Sequence, residues 1–197
     1  MNRSELRRSL RDRRSALGDA ERARLSRAIG RQVLKAIGPS ARGRHVAAYA
    51  ALPGEPDLSN ALATLDRRGA LLYLPRITSF RRRQMVFASA GGSRRANRYG
   101  IAEPVPGSRE IHASMLDIVL VPLVGFDARG ARLGMGGGYY DRAFAFRRHR
   151  RVLSHPRLIG IAFACQEVDA LPATVHDVFL DAVVTEHGLT RFPRSPG

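Results

Sequence analysis

The sequence predicts a single-domain, three-layer α/β/α sandwich with a mostly parallel central sheet, Rossmann-like in its layering. Three observations predict it. Helical and strand patterns alternate along the chain. Residues 116–126 form a nearly unbroken apolar run, as a strand buried on both faces requires. Directly after it comes a glycine-dense turn, Arg132-Leu133-Gly134-Met135-Gly136-Gly137-Gly138-Tyr139-Tyr140-Asp141, leading into a helical pattern over 142–151. With 197 residues and 44% hydrophobic content, the chain has room for one sizeable core.

The elements follow in order. Asn2 and Glu5 form a capping box, with Met1 and Leu6 spaced as a hydrophobic staple, so a helix starts almost immediately. Leu6, Leu10 and Leu17 give it one apolar stripe, and Gly18 ends it. Arg3 and Arg7 share a different face near the helix start, where two cations oppose the helix dipole. An anion could compensate them; spacing alone favours a solvated arginine face. Asp19 caps a second helix with the stripe Leu25, Ala28, Ile29, Val33 and Ile37, closing at Gly38-Pro39.

Residues 45–51 read as a strand, followed by the turn Leu52-Pro53-Gly54-Glu55-Pro56. Ligands of open α/β sheets sit at the C-terminal ends of strands, which makes Tyr49 and Glu55 candidates. Asp57 caps a third helix through residue 68, and Gly69 stops it. Short strands follow at 71–74 and 85–88, joined through the basic turn Arg81-Arg82-Arg83. Residues 94–106 hold glycine, proline and charge without periodicity and read as a long surface loop. The central strand is placed at 116–124, further strands at 158–163 and 182–185, and a flexible tail at 191–197.

The glycine turn carries the chemistry. Glycine reaches positive φ cheaply, and consecutive backbone N–H groups form an anion-binding nest to which a helix start adds its dipole. A bound phosphate would meet Arg132, and Asp141 could hold its Mg²⁺. Neither common phosphate loop is present: Gly-x-x-x-x-Gly-Lys-Ser/Thr is absent, and Gly134-x-Gly136 lacks the spacing and the later acidic residue of the dinucleotide fingerprint. Zinc spacings, His-Glu-x-x-His and Gly-x-Ser-x-Gly are also missing. His176-Asp177 is the one histidine pair that suggests a site, and a surface turn explains it as readily. A Mg²⁺ held mainly by water and phosphate needs one or two carboxylates, for which Asp141 and Asp177 suffice. The residues alone thus suggest a Mg-nucleotide enzyme with no covalent nucleophile.

The formal charge of +16, with Lys35 the only lysine, would steer a nucleic acid, a membrane surface or a small polyanion such as ATP, unless it is merely compositional. Cys165 stands alone, so no disulfide framework exists and a reducing cytoplasm is expected. No apolar run is long enough to span a bilayer, and the N-terminus has no signal-peptide core, so a soluble cytoplasmic protein without membrane partners is expected.

The stretch Val121-Pro122-Leu123-Val124-Gly125-Phe126-Asp127 through Tyr140-Asp141-Arg142 resembles the signature of the 5-formyltetrahydrofolate cyclo-ligase family. Weaker segments occur in the family's order. Arg3-x-x-Leu6-Arg7 resembles its Lys-x-x-Leu-Arg, Tyr49 with Glu55 its folate-side segment, and Tyr99-Gly100-Ile101-Ala102-Glu103-Pro104 its Gly-Ile-x-Glu-Pro. Leu171-Pro172 with His176-Asp177 and Asp181 resembles its C-terminal pattern. The resemblance implies one such domain over residues 1–190. It also implies ATP-dependent cyclisation of 5-formyltetrahydrofolate, free or polyglutamylated, to 5,10-methenyltetrahydrofolate with Mg²⁺ as cofactor.

Arg3, Arg7 and Arg132, Leu133, Gly134, Met135, Gly136, Gly137, Gly138, Tyr139 and Tyr140 are implied to bind ATP. Tyr49, Ala50 and Glu55, with Met135 to Tyr139, are implied to border the folate, and Asp141 and Asp177 to hold the metal. Arg132, Tyr139 and Asp141 are the implied catalytic residues. The family's usual lysine is Arg3 here, and some members carry lysine where this chain has Gly137. A monomer without nucleic-acid partners is expected. The alternative reading is an arginine-rich nucleic-acid-binding protein, motivated by Arg81 to Arg83, Arg94, Arg95, Arg98 and Arg147 to Arg151. Its weakness is the lack of a binding motif and of stacking aromatics, at 7%. A sugar-phosphate isomerase or acyl-CoA transferase would share the scaffold but need no ATP.

Overall fold

A computed structural model describes residues 2–149 and 155–193. Helix α1 spans Arg3–Ser15: the Asn2 carboxamide oxygen accepts from the N–H groups of Ser4 and Glu5, and the Glu5 carboxylate accepts from Asn2 N–H at 2.8 Å. The expected staple residue Met1 lies outside the described residues. Helix α2 spans Asp19–Ile37, with Gly18 rather than Asp19 at its N-cap. Helix α3 spans Ser59–Arg67, and Asp57 caps it from outside, accepting from the Ser59 N–H at 2.9 Å and its hydroxyl at 2.6 Å.

Strands β1 (His45–Ala47), β2 (Leu71–Ser79), β3 (Gln84–Ser89) and β6 (Glu110–Ile111) make one half of an eight-stranded sheet. Its other half is β7 (Ile118–Pro122), β10 (Arg157–Ile161), β11 (Ala182–Thr185) and β12 (Gly188–Arg191). The order is β12-β11-β10-β7-β1-β2-β3-β6. The central strands β11, β10, β7, β1 and β2 run parallel, and the edges are antiparallel.

Alternation along the strands feeds two cores. Val46, Ile118, Leu120, Ile159 and Val184 face α2 and α3, packing with Ile29, Val33 and Leu65. Ala47, Val119, Val121, Leu158 and Val183 face the opposite layer, packing with Phe144, Leu180 and Phe192. That second layer is thin. Helix α4 covers only Tyr139–Ala143, followed by a 3-10 turn at Ala145–His149, instead of the helix expected over 142–151. Residues 150 and 151 lie outside the described residues.

Several boundaries differ from expectation for local reasons. The first strand ends at Ala47, not 51: only the Ala48 N–H still reaches β2, at Tyr73 O, while Tyr49 turns in to donate its hydroxyl to Pro56 O at 2.7 Å. The presumed loop 94–106 contains a hairpin of β4 (Arg94–Ala96) and β5 (Ala102–Pro104). Asn97 sets its turn by accepting from the N–H groups of Tyr99 and Ile101, at 2.8 and 3.2 Å, so side-chain chemistry replaces periodicity. The central strand stops at Pro122, and the chain then forms a small ribbon, β8 (Gly125–Phe126) against β9 (Arg132–Leu133). The tail expected from residue 191 is corrected at its start. Arg191 closes β12 and Phe192 packs into the second core, while residues 194–197 lie outside the described residues.

Asp127 holds the ribbon's turn. Its carboxylate is fully buried and accepts from the backbone N–H groups of Arg129, Ala131 and Leu171 and from the Arg129 guanidinium at 2.7 Å. Burial alone would raise its pKa; these donors outweigh burial and hold it below the usual range. With the folded value below the unfolded value of about 3.9, this contribution is complete above that pH. It is lost as pH falls through the folded value. Asp127→Ala should therefore cost about 3 kcal/mol or more near neutral pH, by orphaning several buried donors. Urea unfolding should show the gap narrowing in acid. A gap independent of pH would show that packing, not the carboxylate, holds this turn.

Candidate active site

At the C-terminal ends of β1, β2 and β7 lies a cavity of about 690 Å³. Sequence-distant residues meet there: Arg3 and Arg7 from α1, Tyr49, Ala50 and Glu55 from the segment after β1, the glycine loop, and Asp177. Arg132, Gly134 to Tyr140 and Asp141 all line it. Leu133 stands apart, because its side chain is buried among Leu6, Leu10 and Val124, where it anchors the loop's base.

The loop itself is a cradle of backbone donors. None of the N–H groups from Gly134 to Gly138 donates to a protein acceptor among the described residues. Gly136 and Gly138 have φ of +98° and +68°, a region costly for other residues. A Cβ at Gly137 would stand 2.7 Å from the Tyr139 ring, so that ring closes over the loop because glycine leaves it space. The shortness of α4 leaves little helix dipole to help, which puts the weight on these amides and on nearby cations.

Those cations are tied in place. The Arg7 Nε–H donates to Gly134 O at 2.8 Å, fixing α1 to the loop. Arg132 donates through Nη2 to Asp141 Oδ1 at 2.6 Å, and the same oxygen accepts from Val178 N–H at 3.1 Å. The Arg132 side chain is only 5% exposed, and its Nη1 has no partner among the described residues. Burial pushes its pKa down and Asp141 pushes it back; a guanidinium remains charged in either case. A buried N–H with no acceptor is costly unless a ligand supplies one.

Arg3 donates from both terminal nitrogens to Asp177, at 3.0 and 3.4 Å, and Thr174 N–H donates to the same carboxylate at 2.7 Å. Burial would raise the Asp177 carboxyl, but these bonds outweigh it and keep it below the usual range. The expected solvated arginine face of α1 is thus corrected. Arg3, Arg7, Leu10 and Arg14 follow a helical period and lie on the side that packs inward, and Leu10 and Arg14 are buried. Arg14, which sequence reasoning missed, stands beneath the turn after β1, where a Cβ on Gly54 would lie 3.5 Å from its Nε. The i, i+7 spacing from Arg7 was the available signal.

Elsewhere in the cavity, burial pushes the Glu55 carboxyl up, and the Leu52 N–H, at 3.0 Å, and Arg14 pull it partly back. Burial also pushes the Tyr140 hydroxyl far above its ordinary pKa, keeping it a neutral donor, and its oxygen has no partner among the described residues. Ile77, Met85, Tyr99, Ile101 and Glu103 complete the wall. They come from β2, β3 and the β4–β5 hairpin, whose lack of hydrophobic periodicity predicts a loop.

No three His, Cys, Asp or Glu side chains converge as a metal cluster among the described residues. Asp141 nevertheless keeps Oδ2 without a partner among the described residues. One such oxygen suits an ion held mostly by phosphate and water. Asp177 is already engaged by Arg3.

A sequence model of the 5-formyltetrahydrofolate cyclo-ligase family matches residues 1–186. The chain is 32% identical over 179 residues to the 5-formyltetrahydrofolate cyclo-ligase of Escherichia coli K12, covering 89% of this chain and 96% of that one. It is 30% identical over 176 residues to the Saccharomyces cerevisiae enzyme of the same name, covering 80% and 82%. Among solved structures, Aquifex aeolicus 5,10-methenyltetrahydrofolate synthetase superposes with a TM-score of 0.81 at 29% identity, covering 100% of this chain and 96% of that one.

Proposed function

The chain belongs to the 5-formyltetrahydrofolate cyclo-ligase family, and from that premise we propose that it converts 5-formyltetrahydrofolate to 5,10-methenyltetrahydrofolate at the cost of one ATP. The observation that carries the reading is the convergence of an amide-lined glycine loop, Arg3, Arg7 and Arg132, and the carboxylates of Asp141 and Asp177 on one cavity. The formyl group on N5 is an amide whose oxygen is a poor leaving group. In the proposed reaction that oxygen attacks the ATP γ-phosphorus and ADP leaves. N10 then adds to the formyl carbon, its proton is released, and the C–O bond breaks to expel inorganic phosphate.

Phosphoryl transfer of this kind depends on positioning and charge neutralisation. The amides of Gly134 to Gly138 receive phosphate oxygens, Arg132 donates its unpartnered Nη1, and Arg7 holds the loop against α1. Arg3 serves the phosphates after sharing or releasing Asp177. Tyr49, Ala50 and Glu55 border the folate across from the loop. Asp141, joined by Asp177 when Arg3 moves, would hold Mg²⁺, which when bound would neutralise phosphate charge.

Formation of the methenyl product, followed by its absorbance with and without Mg-ATP, tests the function. The mechanism has its own test. Substrate carrying ¹⁸O in the formyl group should deliver the label to inorganic phosphate, and Cys165→Ala should still turn over. Burial and Glu186 push the Cys165 thiol's pKa up, the wrong direction for a nucleophile. Unlabelled phosphate would rule out transfer to the formyl oxygen.

A further inference from the structure

Resting on that reading, we propose that Glu103 recognises the substrate's pyrimidine edge, accepting hydrogen bonds from the ring N–H and the adjacent amino group. Glu103 is 8% exposed, yet it lines the cavity. Its Oε1 accepts from Ile77 N–H at 3.2 Å and from the Asn97 carboxamide at 2.7 Å, which fixes the carboxylate on the hairpin. Its Oε2 takes no hydrogen bond among the described residues and is not fully sealed, and Glu103 is one of the residues that line the cavity. An ionised carboxylate only accepts, and burying one favours a partner that presents donors.

The two ligands of the reaction differ in what they offer. The pterin presents two adjacent donors, a ring N–H and an exocyclic amine. Adenine presents an amine beside a ring nitrogen acceptor, which a carboxylate would repel. The neighbouring walls, Ile77, Met85 and Ile101, suit a flat ring. Of the other carboxyls that line the cavity, Asp141 and Asp177 are paired with Arg132 and Arg3, and Glu55 accepts through Oε2 from Leu52 N–H in its own turn.

Three measurements test this: KM for 5-formyltetrahydrofolate, KM for ATP, and KM for a substrate analogue in which methyl replaces the pyrimidine amino group. Glu103→Gln should raise the folate KM by about 10- to 100-fold, the range expected for a hydrogen bond to a charged group. The ATP KM should stay within about twofold. With the analogue, wild type should lose about as much as the substitution does, and Glu103→Gln should lose little more, because the missing amine and the missing carboxylate are the same interaction. A purely structural role would weaken both folates equally, and that result would overturn the proposal. Should Glu103→Gln fail to fold, wild type decides: an unchanged KM for the analogue overturns the proposal, and a loss of about tenfold or more supports it. Failure of the functional reading would look different, as wild type forming no methenyl product.

Discussion

Arg132→Met is expected to lower turnover at saturating substrates by about 10²- to 10³-fold, the usual effect of removing a donor aimed at developing charge. In the free protein its guanidinium holds Asp141 with one nitrogen and leaves Nη1 buried without an acceptor. A protein gains no stability from that arrangement, since an unmet buried donor costs free energy. It gains function if a γ-phosphoryl oxygen completes the set. Methionine matches the length of the stem and keeps the packing of β9, so denaturant unfolding should show a well-folded variant. Arg132→Lys should recover only part of the loss, because an ammonium restores the charge but cannot serve Asp141 and a phosphate with a planar fork. Turnover of Arg132→Met within about threefold of wild type would remove Arg132 from the phosphate site.

The parts of the site carried by contiguous residues were legible in the sequence. The glycine loop declared itself through composition, and Asp141 through its position at the loop's end. The fold was legible where periodicity is long, as in α2 with its stripe through Val33 and Ile37. What escaped depends on groups brought together from afar. The spacing of Arg3 and Arg7 said only that they share a face; whether water or a loop 127 residues away meets that face is decided by tertiary packing. The β4–β5 hairpin escaped because Asn97 shapes its turn through side-chain bonds that no hydrophobic pattern reports. Glu103 was visible only as part of a motif; its burial within that hairpin, held by Ile77 N–H and the Asn97 carboxamide, depends on tertiary packing. The pairing of Arg3 with Asp177 could not be read at all, since its members are 174 residues apart.

Asp141→Asn separates two roles that the geometry combines. The Oδ1 atom accepts from Arg132 and Val178 N–H, and an amide oxygen can occupy that place with little change of shape. What asparagine removes is the charge and the second acceptor, Oδ2, the atom that would meet a magnesium ion. If Asp141 only positioned Arg132, the variant would keep most of its activity and its Mg²⁺ dependence. If it also holds the metal, turnover should fall by about 10²-fold, and the Mg²⁺ concentration giving half-maximal rate should rise, while the unfolding midpoint moves little. Coupling with Arg132 sharpens the test. Arg132→Met combined with Asp141→Asn should lose less than the product of the two single effects, because the members of one contact network are not independent. Near-wild-type turnover with an unshifted Mg²⁺ titration would take Asp141 out of the metal shell and leave it as the group that orients Arg132.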